Sequence, residues 1–198
     1  MRGVMVISSS SLLIVTNAPN PTVVQANMSS FKEAINAEML TLAKRPDTVF
    51  VGQSVRYDGA AIFDSLAGVP MDRRIEMPVV EDFQLGYCTG LSLTGKLPIC
   101  IYPRMDFMLL CTNQLVNHLD KLTEFGWKPK VIIRTTVGKK YPLNAGLQHT
   151  QNYTKAFKAM LKNVSVREVT NIHEIKAAYK SAIADPYSTL IVENDNSG

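Results

Sequence analysis

The sequence predicts one α/β domain built on a mainly parallel sheet with helices on both faces. Strand-like and helix-like runs alternate along the chain, and the strands are continuous apolar stretches. Such strands are typical of parallel sheets whose two faces are both covered by helices. At 198 residues and 46% hydrophobic content, the chain is long enough for one packed core, and no shift of composition divides it.

Each element has a local reason. Ser29 and Ser30 are good N-caps for a helix at 31–45, which Pro46 ends. Residues 48–51 form a short strand, and Gly52 begins the turn after it. Asn171 opens the last helix. The remaining predicted elements are strand 74–79, helix 82–93, strand 97–102, helix 107–125, strand 131–135, helix 153–161, strand 165–169, helix 172–184 and strand 189–192.

Residues 1–27 are predicted to be an extension that is disordered or wrongly assigned. The apolar run at 12–15 resembles a weak secretory signal, but serines precede it, and Pro19 and Pro21 follow. The domain-like pattern begins after Met28. We therefore expect Met28 to be the true first residue and the domain to span 28–198.

Charge and cysteine content exclude several functions. The net charge of +4 comes without a dense basic block, so no nucleic-acid partner is expected, and Lys139-Lys140 is the nearest approach to a basic patch. No apolar run is long enough to span a membrane. The cysteines Cys88, Cys100 and Cys111 lie in apolar runs without metal-ligand spacing. They are predicted to be buried thiols of a cytoplasmic protein.

Several common motifs are missing from the sequence. It contains no Walker phosphate loop, no G-x-G-x-x-G after a strand and no G-x-S-x-G nucleophile elbow. Its histidines share no short metal-ligand spacing, so no metal site is predicted in this chain.

Glu81 is the first candidate site residue. It lies where a predicted strand meets a helix rich in small residues, and open α/β sheets bind ligands at the carboxyl ends of their strands. Gly86, Gly90 and Gly95 each weaken a helix by ~1 kcal/mol, which suggests that a backbone or ligand approaches closely there. Alternatively, Glu81 only favours the positive end of the helix dipole. Spacing alone leaves both interpretations open.

His149 is the second candidate. It lies in a polar loop at residues 144–151, where Gly146 lets the backbone bend. An imidazole there can donate or accept a proton at neutral pH. Alternatively, it hydrogen-bonds the amides of the following helix.

An ordered series of motifs extends over residues 29–194. They are Phe31-Lys-Glu-Ala-Ile-Asn-Ala-Glu-Met39, Val49-Phe-Val-Gly52, Tyr57-Asp-Gly59, the Glu81 segment with its glycines, Pro103-Arg-Met-Asp-Phe107, Asn113-Gln-Leu-Val-Asn117 and Gln148-His-Thr-Gln151. Together they resemble the beta subunits of the 2-oxoacid dehydrogenase decarboxylase component, such as pyruvate dehydrogenase. More broadly, they resemble the pyrimidine-binding domain of transketolase-like thiamine diphosphate enzymes.

The resemblance implies a thiamine diphosphate-binding fold of the pyrimidine-binding type and gives each site residue a role. Glu81 would hydrogen-bond the aminopyrimidine ring of the cofactor and, by sharing a proton with it, activate the thiazolium. Phe107 would pack on the pyrimidine face, although it is equally a core residue, and Val79 and Pro103 would complete the cofactor contacts. Val79, Val80 and Phe83 would form dry walls, which favour a protonated carboxyl group. His149 would lie near the reacting 2-oxo group.

The resemblance also implies partners. An alpha-type subunit would bind the diphosphate and Mg²⁺, which gives a heterotetramer acting on a small 2-oxoacid. A split transketolase-like carboligase acting on sugars and a non-catalytic scaffold are the alternatives. Two departures stand out, because Gln53-Ser54 replaces acidic residues and Val137-Gly-Lys-Lys-Tyr-Pro-Leu-Asn144 replaces a glycine-rich loop. Lys139 and Lys140 of that loop are expected to be mobile cations that attract an anionic substrate.

Overall fold

A six-stranded sheet in which all neighbouring strands run parallel organises the protein. The computed structural model describes residues 30–139 and 144–195, so residues 1–29, 140–143 and 196–198 lie outside the described residues. The sheet has helices on both faces, which confirms the predicted fold class. No described helix is both long and apolar enough to cross a bilayer.

The strands and helices follow one another along the chain as predicted, with three exceptions. The strands are β1 (Thr48–Gly52), β2 (Arg74–Glu76), β3 (Leu97–Tyr102), β4 (Ile132–Thr136), β5 (Ser165–Val169) and β6 (Thr189–Glu193). The α-helices are α1 (Phe31–Ala43), α2 (Ala61–Ser65), α3 (Glu81–Leu93), α4 (Asp120–Leu122), α5 (Thr154–Met160) and α6 (Ile172–Ala184). Across the sheet the order is β2-β1-β3-β4-β6-β5.

Local capping fixes the start of α1. The Ser30 hydroxyl accepts a hydrogen bond from the Glu33 amide, and the Glu33 carboxylate accepts one from the Ser30 amide, which is a complete capping box. Asn171 caps α6 in a similar way by accepting from the His173 amide. Both caps lie where the sequence predicts them.

The core has two layers, one on each face of the sheet. Alternate residues of β3 point to opposite layers, with Ile99 and Ile101 on one face and Cys100 and Tyr102 on the other. Helices α1 and α6 cover the first face, and α3 and α5 contribute to the second. The three cysteines are buried free thiols, as predicted.

The predicted helix at residues 107–125 is wrong. The chain instead forms a 3₁₀ segment (Met105–Cys111), a wider π turn (Gln114–Leu119) and the short helix α4. At the junction the Thr112 hydroxyl donates to the carbonyls of Met108 and Leu109, at 3.2 and 2.9 Å. Side chains of this kind compete with regular helical bonding.

Two other predictions need correction. The strand expected at 74–79 ends at Glu76, shortly before Pro78, which has no N–H to donate to the sheet. A loop therefore separates β2 from Glu81. Helix α2, a single short turn that buries Ile62 and Ser65, is not among the predicted elements.

Candidate functional site

The sequence-predicted site residues lie along the edge formed by the carboxyl ends of the parallel strands. Glu81 begins α3, while Pro103 directly follows β3 and leads into the segment that carries Phe107. His149 closes a short 3₁₀ turn, Leu147–His149, in the loop after β4. In open parallel sheets, ligands bind in a crevice at this edge of the sheet.

The Glu81 side chain is held from two directions. The residue is only 4% exposed, and its Oε1 accepts a hydrogen bond of 3.1 Å from Gln53 Nε2. The hydroxyl of the buried Tyr102 donates to the Glu81 backbone carbonyl at 2.9 Å. Among the described residues, Glu81 Oε2 has no hydrogen-bond partner. One carboxylate oxygen is therefore fixed and the other is free for a ligand.

Gln53 reaches Glu81 because β1 and the loop after it are tightly held. A Cβ at Gly52 would lie 2.5 Å from the Ile101 carbonyl oxygen, so only glycine allows β1 to approach β3 there. Beyond the strand, the Glu76 carboxylate accepts hydrogen bonds from the amides of Ser54 at 2.6 Å and Arg56 at 2.9 Å. Ser54 adopts a left-handed conformation with φ of 59°. The departure Gln53-Ser54 thus makes a contact to the candidate carboxylate.

Phe107 and His149 form a second group. Their rings meet edge to face at 90°, with centroids 5.4 Å apart, a favourable aromatic geometry. Both side chains are half-buried. A Cβ at Gly138 would overlap the His149 carbonyl oxygen and lie 3.4 Å from Arg104 Nε. Gly138 therefore lets the backbone just after β4 lie against the His149 carbonyl and close to Arg104.

A cleft of about 600 Å³ opens beside this ring pair. It lies between α1, α2 and the carboxyl ends of β3, β4 and β6. Its lining includes apolar side chains from both helices and several polar groups. Phe31, Ile35 and Ile62 are among the apolar residues, and Arg104, Arg134 and Glu193 are among the polar ones.

A buried ion pair forms one wall of the cleft. Arg134 Nε and Nη2 donate to the two oxygens of Glu193, at 2.6 and 3.1 Å, and Arg134 Nη1 donates to Ser65 Oγ at 2.8 Å. The Tyr179 hydroxyl adds a bond of 2.9 Å to Glu193. Burial alone lowers the pKa of Arg134, but Glu193 opposes this effect and the net pKa is raised. Burial, followed by the Glu193 charge, raises the pKa of Tyr179 well above its ordinary value.

Three expectations about the surroundings of the site are not met by contacts among the described residues. Val79 is 75% exposed and Phe83 is 61% exposed, so they do not enclose Glu81 within the chain. Gly90 has no atom near the place where a Cβ would lie, so it permits no close approach within the described residues. Lys139 is not a free cation, because its Nζ lies 2.6 Å from Asp195 Oδ2. Lys140 lies outside the described residues.

Residues 30–139 and 144–195 contain no group of three or more His, Cys, Asp or Glu side chains placed to hold a metal ion.

Sequence reasoning missed four residues of this region. Gln53 and Tyr102 hold Glu81, while Arg134 and Glu193 form the wall of the cleft. The available signal was a charged residue inside an otherwise apolar strand, as at Arg134. Such a residue needs a buried partner of opposite charge, but the pattern does not say which one.

The fold has a counterpart among solved structures. A split gene transketolase, solved as an inactive β4 tetramer, aligns with a TM-score of 0.65 and 18% identity, covering 83% of this chain and 51% of that chain. The chain is therefore an α/β protein with the transketolase-type thiamine diphosphate-binding fold.

Sequence comparison gives the nearer relatives. The chain is 26% identical over 171 residues to the mitochondrial beta subunit of the pyruvate dehydrogenase E1 component of Ascaris suum, covering 83% of this chain and 46% of the relative. It is 24% identical over 176 residues to the 2-oxoisovalerate dehydrogenase beta subunit of Bacillus subtilis, covering 85% and 53%. The chain spans about half the length of these relatives, and no family model matches it. The resemblance to 2-oxoacid dehydrogenase beta subunits is confirmed.

Proposed function

We propose that this chain is the beta-type subunit of a thiamine diphosphate-dependent 2-oxoacid dehydrogenase. The observation that carries the proposal is Glu81, a buried carboxylate with one oxygen held by Gln53 and the other without a partner among the described residues. It lies at the edge of the sheet where this fold class places ligands. Relatives named as 2-oxoacid dehydrogenase beta subunits support the same assignment.

The side chains at this edge fit an aminopyrimidine ring. Such a ring offers nitrogen atoms for hydrogen bonding and a flat aromatic face. Glu81 Oε2 supplies the carboxyl oxygen, and the half-buried Phe107 supplies an aromatic surface. Val79 and Pro103 are further candidates for apolar contact with the cofactor. An aromatic contact of this kind adds about 0.5 to 1.5 kcal/mol beyond the area that it buries.

Each residue of the site would have a separate role in the reaction. Bound thiamine diphosphate supplies a nucleophilic carbanion and stabilises negative charge after decarboxylation. Glu81 Oε2 would hold the proton that it shares with the pyrimidine nitrogen, while Gln53 and Tyr102 keep the carboxyl group in place. His149, in edge contact with Phe107, would orient the reacting 2-oxo group or move a proton to or from it.

A partner subunit is part of this proposal. The apolar side chains of Val79, Val80, Phe83 and Tyr87 are exposed beside Glu81, as expected of a surface that a second chain covers. We propose an alpha-type subunit that binds the diphosphate and Mg²⁺ in a heterotetramer, so that the cofactor lies at the interface. The buried free thiols suit a reducing compartment, and we propose the cytoplasm.

A specific observation favours one alternative function. The structural likeness to the split gene transketolase favours half of a split carboligase that acts on sugars. The two functions differ in substrate and share Glu81, so the substrate of the reconstituted complex separates them. A non-catalytic scaffold of the same fold predicts no turnover with either substrate.

The decisive experiment replaces Glu81 in the complex with the co-purifying partner chain. Glu81→Gln should lower thiamine diphosphate-dependent turnover of 2-oxoacids by about 100-fold or more, the scale of lost acid-base catalysis. Asp82→Asn is the matched control, since Asp82 is the next carboxylate along α3 and is exposed. Equal turnover in the wild type and Glu81→Gln would remove Glu81 from the mechanism.

A binding experiment tests the shared site. Calorimetry on the isolated chain should show no saturable thiamine diphosphate binding, with or without Mg²⁺. The partner chain should restore binding. Tight binding by the isolated chain would contradict the proposed division of the site.

A further inference from the structure

We propose that the cleft between α1 and α2 is a side-chain pocket for the substrate, and that it selects 2-oxoacids with bulky apolar side chains. In this arrangement Arg104 binds the substrate carboxylate at the rim. The inference rests on the proposed function and names the substrate class of that site.

The walls of the cleft are suited to an apolar group. Phe31 and Ile35 enter from α1, Ile62 enters from α2, and Val137 and Pro103 line the sheet side. A volume of about 600 Å³ is far more than a methyl group fills, and it lies in the range of ligand pockets, about 300 to 1,000 Å³. Pyruvate would therefore leave most of the apolar wall without a contact.

The charged side chains of the cleft indicate how a bound substrate would be oriented. Lys32 pairs with Asp64 at 2.7 Å, Lys139 pairs with Asp195 at 2.6 Å, and Arg134 pairs with Glu193. Among the described Lys and Arg side chains that line the cleft, Arg104 is the one without a carboxylate partner. Its Nη1 donates only to the Pro103 carbonyl, at 2.8 Å. A guanidinium group has five N–H donors and readily binds a carboxylate with two of them.

Arg104 is also close to the proposed reaction centre. Gly138 passes beneath both the Arg104 guanidinium and the His149 carbonyl, and His149 contacts Phe107. A substrate carboxylate on Arg104 would place the adjacent 2-oxo carbon beside this ring pair. Its side chain would then extend away from Glu81 into the space between the two helices.

The neutral, carbon-rich interior disfavours a sugar phosphate. The Arg134 and Glu193 charges compensate each other and add no attraction for a phosphate group, while Arg104 at the rim would bind a phosphate as well as a carboxylate. The discrimination therefore comes from the apolar walls. Sugar hydroxyls placed against Phe31, Ile35 and Ile62 would lose their hydrogen bonds to water without gaining new ones. The cleft therefore favours the 2-oxoacid over the sugar substrate.

The test narrows the cleft without touching the reaction centre. Ala61 lines the cleft and is exposed at the start of α2, so Ala61→Leu should fold normally and fill part of the space. Ala67→Leu, at an exposed position just after α2 and outside the cleft, is the matched control. In the reconstituted complex, Ala61→Leu should lower kcat/KM for phenylpyruvate by about 10- to 200-fold, the range for one misfitting group in an apolar pocket. The loss of kcat/KM should be much larger for phenylpyruvate than for pyruvate.

Ligand binding to the isolated chain provides a readout that is independent of turnover. Phenylpyruvate should shift the methyl NMR signals of Ile35 and Ile62 in the wild type and in Ala67→Leu, but much less in Ala61→Leu. Arg104→Gln should weaken this binding at least tenfold. Fructose 6-phosphate should not shift the methyl signals of Ile35 and Ile62.

The outcomes separate the two proposals. The complex could show no thiamine diphosphate-dependent turnover while phenylpyruvate still shifts the methyl signals as described. That result would refute the proposed function and support the proposed pocket. If turnover of 2-oxoacids occurs but Ala61→Leu and Ala67→Leu behave alike with phenylpyruvate, the pocket proposal is overturned. Methyl shifts caused by fructose 6-phosphate and absent with phenylpyruvate would also overturn it.

Discussion

Glu193→Gln should destabilise the protein strongly, because it leaves a buried guanidinium without its counter-ion. Arg134 is 3% exposed and uses two of its nitrogens to bind Glu193. Removing one partner of a buried ion pair costs about 3 to 5 kcal/mol. Glutamine keeps an oxygen acceptor for one of these bonds, so we expect a loss of about 3 kcal/mol, a large part of the about 5 to 15 kcal/mol typical of a folded domain.

Urea unfolding followed by circular dichroism measures this loss as a lower midpoint at constant slope. The control is Glu124→Gln, which breaks the exposed Lys121–Glu124 pair of 3.3 Å and should cost less than about 1 kcal/mol. The double variant Arg134→Met with Glu193→Gln should recover much of the stability, since no charge then remains buried. Equal losses for Glu193→Gln and Glu124→Gln would refute the reasoning.

Four further outcomes are expected. His149→Ala should depress turnover and leave thiamine diphosphate affinity unchanged in calorimetry, whereas lost affinity would give His149 a structural role. Gly138→Ala should reproduce this phenotype because its Cβ would displace the His149 loop, with a shifted His149 NMR signal as the measurement. Asp120→Ala should cost at least about 2 kcal/mol in urea unfolding, because Asp120 Oδ1 accepts from three backbone amides at residues 162–164. Burial raises the pKa of Cys111 from an ordinary value of 9.0 to about 12. The unfolded chain therefore loses this proton first, and the Cys111 contribution, fully present below pH 9, should be lost as pH rises toward 12, an effect that Cys111→Ala should remove.

The fold was predictable because its signals are local. The continuous apolar runs and the caps at Ser30 and Asn171 each act within a few residues, and they are sufficient to predict a parallel α/β sheet. The segment after Phe107 was mispredicted because apolar spacing does not distinguish a regular α-helix from a 3₁₀ and π sequence.

The candidate site was predictable only in part. The edge position of Glu81 follows from the order of strands and helices, but its oxygen is held by Gln53, which lies 28 residues away in sequence. Arg134 and Glu193 are separated by 59 residues, and Lys139 finds Asp195 across a similar span. Such pairs depend on strand register, which one sequence does not specify. Whether Glu81 and His149 contact a cofactor or substrate stays a prediction.

The position of β6 has a consequence for synthesis on the ribosome. This strand follows β5 in the chain but lies between β4 and β5 in the sheet, with Ile132 paired to Thr189 and Ser165 paired to the same residue. Until β6 emerges, β4 has an open edge and β5 has no neighbour to bond. The pairing of β4 and β5 with β6 therefore cannot form until residues 189–193 have been translated. The nascent chain carries two unpaired strand edges during that interval, which makes this stage the one most exposed to aggregation or chaperone capture.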